Sequence, residues 1–114
     1  MTRMIYHMCS AASWQEALAA GEYRGTEDDR RDGFIHFSTA AQLPESARRH
    51  RAGQVGLVLV QVDAAPLGDR LRWEPARDGS LFPHLYGPLD PAEAAQVSPL
   101  PLGPDGEHSF PPLA

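Results

Sequence analysis

Three short stretches of this sequence set histidine, hydroxyl and aromatic side chains beside strand-forming residues. They are Tyr6-His7, then Gly33-Phe34-Ile35-His36-Phe37-Ser38-Thr39, then Phe82-Pro83-His84-Leu85-Tyr86-Gly87-Pro88. An imidazole, with an ordinary pKa of about 6.5, can donate or accept a proton or pair with a phosphate near neutral pH. Side chains alternate along a strand, so His36 and Ser38 share one face, as do His84 and Tyr86. A phosphate oxygen or a ribose hydroxyl could sit between His36 and Ser38; Ser38 can equally cap the helix that follows, and a helix N-terminus itself attracts anions. Between the second and third stretches, the neighbours Trp73 and Glu74 point to opposite faces of a strand. Trp73 suits the core or a stacking wall, and Glu74 suits a general base or an acceptor of hydroxyl protons.

Composition narrows the chemistry. All ten basic residues are arginine, so Schiff-base and lysine-nucleophile reactions are excluded. The formal charge of −5 argues against general, charge-driven nucleic-acid binding. Cys9 is the only cysteine, which rules out an internal disulfide or thiolate cluster; in a strand it reads as a small buried hydrophobe. The N-terminal residues lack the apolar run of a signal peptide, and no stretch approaches the roughly 18 apolar residues of a membrane span. The expectation is a cytoplasmic protein with no membrane partner.

The elements that must position these residues follow from pattern. At 114 residues the chain is expected to form a single domain over residues 1–114 around one core. Residues 3–9 read as a first strand, followed by Ser10 as a helix cap and a helix over 11–20 that buries Trp14, Ala17 and Leu18 and ends at Gly21. Residues 25–33, charged and bounded by glycines, read as an exposed loop. Residues 34–37 form a short strand. Ser38 or Thr39 caps a second helix running to about Arg51, with Gln42 completing a capping box from Thr39, and Pro44 forces an irregular start. Residues 55–62 are a β-branched and leucine run fit for a central strand. Residues 71–74 and 81–86 supply two more. From Pro88 the density of proline permits only short strands and a helical turn near 92–95, and the last ten residues are expected to be loosely held. Arg48, Arg49 and Arg51 offset the dipole at a helix C-terminus, and His50 and His108 are expected on the surface.

The His36 and His84 motifs, with Ile5-Tyr6-His7 before them and Trp73-Glu74 between, resemble a bacterial family of small domains of unknown function, number 952, over roughly residues 4–100. That family in turn resembles the ADP-ribosyltransferase fold. The resemblance implies an α+β architecture with a strongly bent, split β-sheet, two main helices and a nucleotide-binding cleft. It implies NAD or a related nucleotide as ligand, ADP-ribosyl transfer or a 2′-phosphotransferase-like reaction as activity, and no metal. Carried over by position, His7 fills the first motif position and His36 with Ser38 the second, while Glu74, His84 and Tyr86 are alternatives for the third. The catalytic candidates are His36, His84 and Glu74; the ligand-binding candidates are His7, Ser38, Thr39, Trp73 and Tyr86. No Gln-x-Glu or Glu-x-Glu pair accompanies them.

Other readings of the same residues differ in class. A non-catalytic ligand-sensing or protein-interaction module would keep the cleft without its chemistry. Zinc held by His7, His36 and His84 would supply a three-imidazole site, although no His-x-x-x-His spacing is present. A phosphoesterase with paired His-x-Ser/Thr motifs has only one such motif here.

Overall fold

The computed structural model describes residues 3–113. Its first strand, β1 (Met4–Ser10), pairs antiparallel with β3 (Leu57–Asp63), which pairs in turn with β6 (Ala94–Leu100), giving a sheet of order β1-β3-β6. A second antiparallel sheet has the order β2-β5-β4, formed by β2 (Ile35–His36), β5 (Leu81–Leu85) and β4 (Leu71–Pro75). The protein is thus a small α+β structure of two three-stranded sheets. Beyond β2 the chain crosses between them: Phe37 donates its backbone N–H to Pro83, and Ser38 exchanges two 2.8 Å backbone bonds with Tyr6 of β1.

β1 and β3 are buried on both faces, which is why nearly every β1 position is apolar. Ile5, Cys9, Val60 and Val62 face one core together with Trp14 and Ala17 of α1 (Ala11–Ala20) and with Ile35 and Leu85 from the inner face of the second sheet. Tyr6, Met8, Leu57 and Leu59 face a second core under Leu43 and Ala47 of α3 (Leu43–His50). Cys9 is buried, as its strand position predicts, and burial pushes its thiol pKa up. The outer face of the second sheet remains open.

Local signals explain the helix ends. Ser10 caps α1 by accepting from the Ser13 N–H, and Gly21 ends it in the left-handed conformation at φ 82°. Leu18 departs from expectation and is half exposed, because α1 rests on the narrow stripe of Trp14 and Ala17. Thr39 and Gln42 do form the reciprocal capping pair, but as a turn, and the regular helix begins at Leu43 with Pro44 in its first turn. Pro lacks only an N–H that would be unpaired there.

Three expectations are overturned. Residues 25–33 are not an exposed loop. They contain α2 (Glu27–Asp32), started by a reciprocal Thr26–Asp29 capping box, and the residue this helix buries is a carboxylate, Asp29. Apolar periodicity could not reveal a helix whose inward side chain is charged. The proline-rich segment has the expected helical turn, a 3₁₀ turn over Pro91–Glu93, and an edge strand, β6, but that strand runs for seven residues and is not short. As an edge strand it tolerates Pro99 because half of its backbone groups need no ladder partner. The C-terminal residues are held, not loose: His108 is buried and donates from Nε2 to the Gln54 carbonyl at 2.8 Å, while Phe110 and Leu113 pack on the second core. His50 is exposed, as expected.

Candidate active site on the open sheet face

In the β2-β5-β4 sheet His36 lies opposite His84, and His84 lies opposite Arg72. These three residues therefore share a face, and the period of two brings Phe34, Tyr86 and Glu74 to the same side. It is the outer face, since Ile35, Leu85 and the half-buried Leu71 and Trp73 turn inward. The imidazoles of His36 and His84 meet edge to face with centroids 5.2 Å apart. Phe34 stacks on His84 at 4.1 Å and also touches His36 and Tyr86.

A carboxylate holds each imidazole. His36 donates from Nδ1 to Asp29 Oδ1 at 2.5 Å, and its Nε2 lies 3.3 Å from Asp32 Oδ2. His84 donates from Nδ1 to Glu74 Oε1 at 2.8 Å, and the same oxygen accepts the Tyr86 hydroxyl at 2.7 Å. The three alternatives for the third motif position therefore form one hydrogen-bonded group. Hydrogen bonds from Tyr86 and then His84 hold the Glu74 carboxyl below its ordinary pKa, and the same bond raises that of Tyr86. For His84, burial lowers the pKa, the Glu74 hydrogen bond pulls it back in part, and the net direction is down. A carboxylate can only accept, so both imidazoles carry their Nδ1 proton. The Arg72 guanidinium lies over the Tyr86 ring, 4.7 Å from its centroid.

Behind this face lies a buried polar group. His7 is 2% exposed; its Nδ1 donates to the His36 carbonyl at 2.7 Å, and its Nε2 accepts from the Tyr23 hydroxyl at 2.6 Å. Since a carbonyl has no proton to give, the proton of the neutral ring is on Nδ1. Burial lowers the His7 pKa against the opposing pull of Asp29, whose Oδ2 lies 3.8 Å from Nε2. For Asp29 itself burial works upward, but the His36 ring, the nearby His7 and the Thr26 and His36 backbone N–H groups outweigh it, and its pKa lies below the ordinary value. Burial also raises the pKa of Tyr23.

Of the residues singled out from sequence, the structure gathers His36, His84, Glu74 and Tyr86 on the open face. His7 directs both ring nitrogens inward. Ser38 is buried and donates to Ser46 at 3.0 Å, Thr39 uses its hydroxyl to cap the turn before α3, and Trp73 faces the other side of its strand beneath the Arg3 guanidinium. Sequence reasoning missed Asp29, Tyr23 and Arg72. Thr26 three residues before Asp29 was the signal for the first; Tyr23 and Arg72 carry no local signal. Among the described residues no group of three or more histidine, cysteine or acidic side chains is arranged to hold a metal ion, and no helix is long and apolar enough to cross a membrane.

The chain belongs to the family described as protein of unknown function DUF952, whose pattern matches residues 8–97. Among solved structures it is similar to protein CC0527 from Caulobacter crescentus. The crystal structure of that protein superposes with a TM-score of 0.90 at 43% identity, covering 93% of each chain. Its solution NMR structure superposes with a TM-score of 0.82 at 44% identity, covering 91% of this chain and 90% of that one. No functionally curated protein matches.

Proposed function

We propose that the open face of the β2-β5-β4 sheet binds NAD or a related nucleotide and supports ADP-ribosyl transfer. The observation that carries this reading is the contact between His36 and His84, each oriented by its own carboxylate, in a patch walled by Phe34 and Tyr86. Two sheets joined through residues 35–38 are also what a split, bent ADP-ribosyltransferase-like sheet requires.

The donor set suits such a ligand. Phe34 and Tyr86 offer rings to a planar base, and Glu74 has one oxygen engaged and a second able to accept from a ribose hydroxyl. Charge favours glycosyl over phosphoryl transfer. Asp29, Asp32 and Glu74 surround the two imidazoles, whereas Arg72 is the one arginine the strand register brings to this face among the described residues. Carboxylates stabilise positive charge developing on a ribose carbon. When bound, NAD supplies the activated glycosidic bond. His84 is held in one tautomer by Glu74, His36 lies between Asp29 and Asp32, and His7 secures the His36 backbone from behind.

Calorimetric titration with NAD, ADP-ribose and AMP tests this reading, repeated on His36→Ala. The expected result is binding by the native chain, weakened about tenfold or more in the variant, with NMR shifts at His36 and His84. No binding of any of the three at millimolar concentration would discard the nucleotide and leave a protein-interaction module as the better account.

A further inference from the structure

We infer that His84 is the catalytic base of this face and that the group it activates is a hydroxyl, so that the ADP-ribosyl acceptor is water or an alcohol; the inference rests on the nucleotide reading above. The geometry separates the two ends of the His84 ring. Nδ1 gives its proton to Glu74 Oε1 at 2.8 Å, which leaves the lone pair on Nε2, and no side chain or backbone group among the described residues takes that nitrogen. The side chain is 14% exposed and Nε2 is not a sealed, unpartnered atom, so it is reachable while the ring is held by Phe34 at 4.1 Å and by the His36 ring at 5.2 Å. His36 differs: its Nε2 already lies 3.3 Å from Asp32, so both its nitrogens face carboxylates. A carboxylate that orients an imidazole through Nδ1 and leaves Nε2 bare is the arrangement of a general base.

The surroundings select a neutral acceptor. A carboxylate acceptor has no proton to give and would approach Glu74, Asp29 and Asp32. A guanidinium acceptor has no lone pair for C1 until it loses a proton, and with a pKa above about 12 it keeps that proton against an imidazole. A hydroxyl carries neither penalty. In the step, Nε2 takes the hydroxyl proton as the oxygen bonds to the ribose C1, and the bond from C1 to the nicotinamide nitrogen breaks with both electrons remaining on that nitrogen. Nicotinamide leaves neutral, the imidazolium returns its proton to solvent, and no oxidant or reductant is needed. The groups facing His84 are Glu74 and Arg72 from β4, His36 from β2, Asp29 from α2, and Tyr86 and Phe34; with the ring half buried among them, Nε2 is unprotonated at neutral pH.

The test uses the full chain with NAD in water, then with added methanol as the alcohol, reading nicotinamide release and the ribosyl product between pH 4.5 and 8. NAD binding is measured separately by calorimetry, and the His84 ring nitrogens by ¹⁵N NMR. Expected are release that rises with pH and levels off below pH 7, and a fall of about 100-fold in the plateau for His84→Gln. Calorimetry should still detect NAD binding in that variant, and the native ring should be protonated at Nδ1 with Nε2 bare. Methanol appearing in the product identifies an acceptor site open to alcohols; ADP-ribose alone identifies water. NAD binding without nicotinamide release, a retained acid limb in folded His84→Gln, or a proton found on Nε2 would each overturn the inference while leaving the binding reading standing. Absence of NAD binding would fail the underlying reading itself.

Discussion

Asp29 shows how much one side chain can organise. Its carboxylate accepts from the His36 ring, the His36 backbone and the Thr26 backbone while only 3% exposed. Truncation would leave the His36 ring and the Thr26 and His36 backbone N–H groups without their acceptor, so Asp29→Ala is expected to cost roughly 1–3 kcal/mol in urea unfolding. Protonation of its neighbour has a separate signature. The His7 pKa is lowered in the folded state, so the unfolded chain binds more protons once pH falls below the ordinary 6.5. The stability contributed by neutral His7 is complete above that pH and is lost as pH falls through its folded value. Asp29 acts lower: its lowered pKa stabilises the fold above 3.8, and that contribution is lost as pH falls further. Urea midpoints at pH 7.5 and 5.5 are expected to differ in the native protein and to converge in His7→Gln, although His84 retains part of the slope because its pKa is lowered too.

At the scale of elements, β2 is a two-residue strand and could not hold the His36 imidazole by ladder bonds alone. It is clamped from both sides, by Asp29 of α2 at the His36 N–H and by His7 of β1 at the His36 carbonyl. The position of α2 is set by Gly25, where an added Cβ would lie 2.6 Å from the Asp29 Cβ at a φ of +96°. Gly25→Ala is therefore expected to lower stability by more than about 1 kcal/mol and to shift the NMR signals of His36 before those of β3. In β5, Leu85 is fully buried between the sheets while its neighbours His84 and Tyr86 face outward. Leu85→Ala should cost about 2–5 kcal/mol in the same unfolding assay.

For the whole molecule, β1 and β3 are covered on both sides and the second sheet on one, and that asymmetry leaves its outer face open. The segment after β6 belongs to the covering layer: Phe110 and Leu113 pack beside Tyr6 and Leu43, and His108 ties the segment to Gln54. Truncation after Leu100 is expected to expose this second core, lowering the melting temperature and increasing binding of a hydrophobic dye. The fold beneath the open face should persist in such a variant, since its own core draws on α1, β1 and β3.

The amino-acid sequence by itself determined the elements whose signals are local. Alternation and β-branching marked β1, β3, β4 and β5, Ser10 and Gly21 bounded α1, and the Thr39–Gln42 pair marked the entry to α3. It also brought His36, His84, Glu74 and Tyr86 forward as candidates, because polar chemistry inside strand segments is visible residue by residue. What only the tertiary structure decided depended on pairing across the chain. Sheet register set His36 against His84 and Arg72, and Glu74 joined His84 with Tyr86. Burial turned His7 and Ser38 inward and placed Trp73 on the reverse of the sheet. Asp29 was invisible because a buried carboxylate looks like a surface one until the imidazoles that neutralise it are in place, and those lie on strands brought together only by folding.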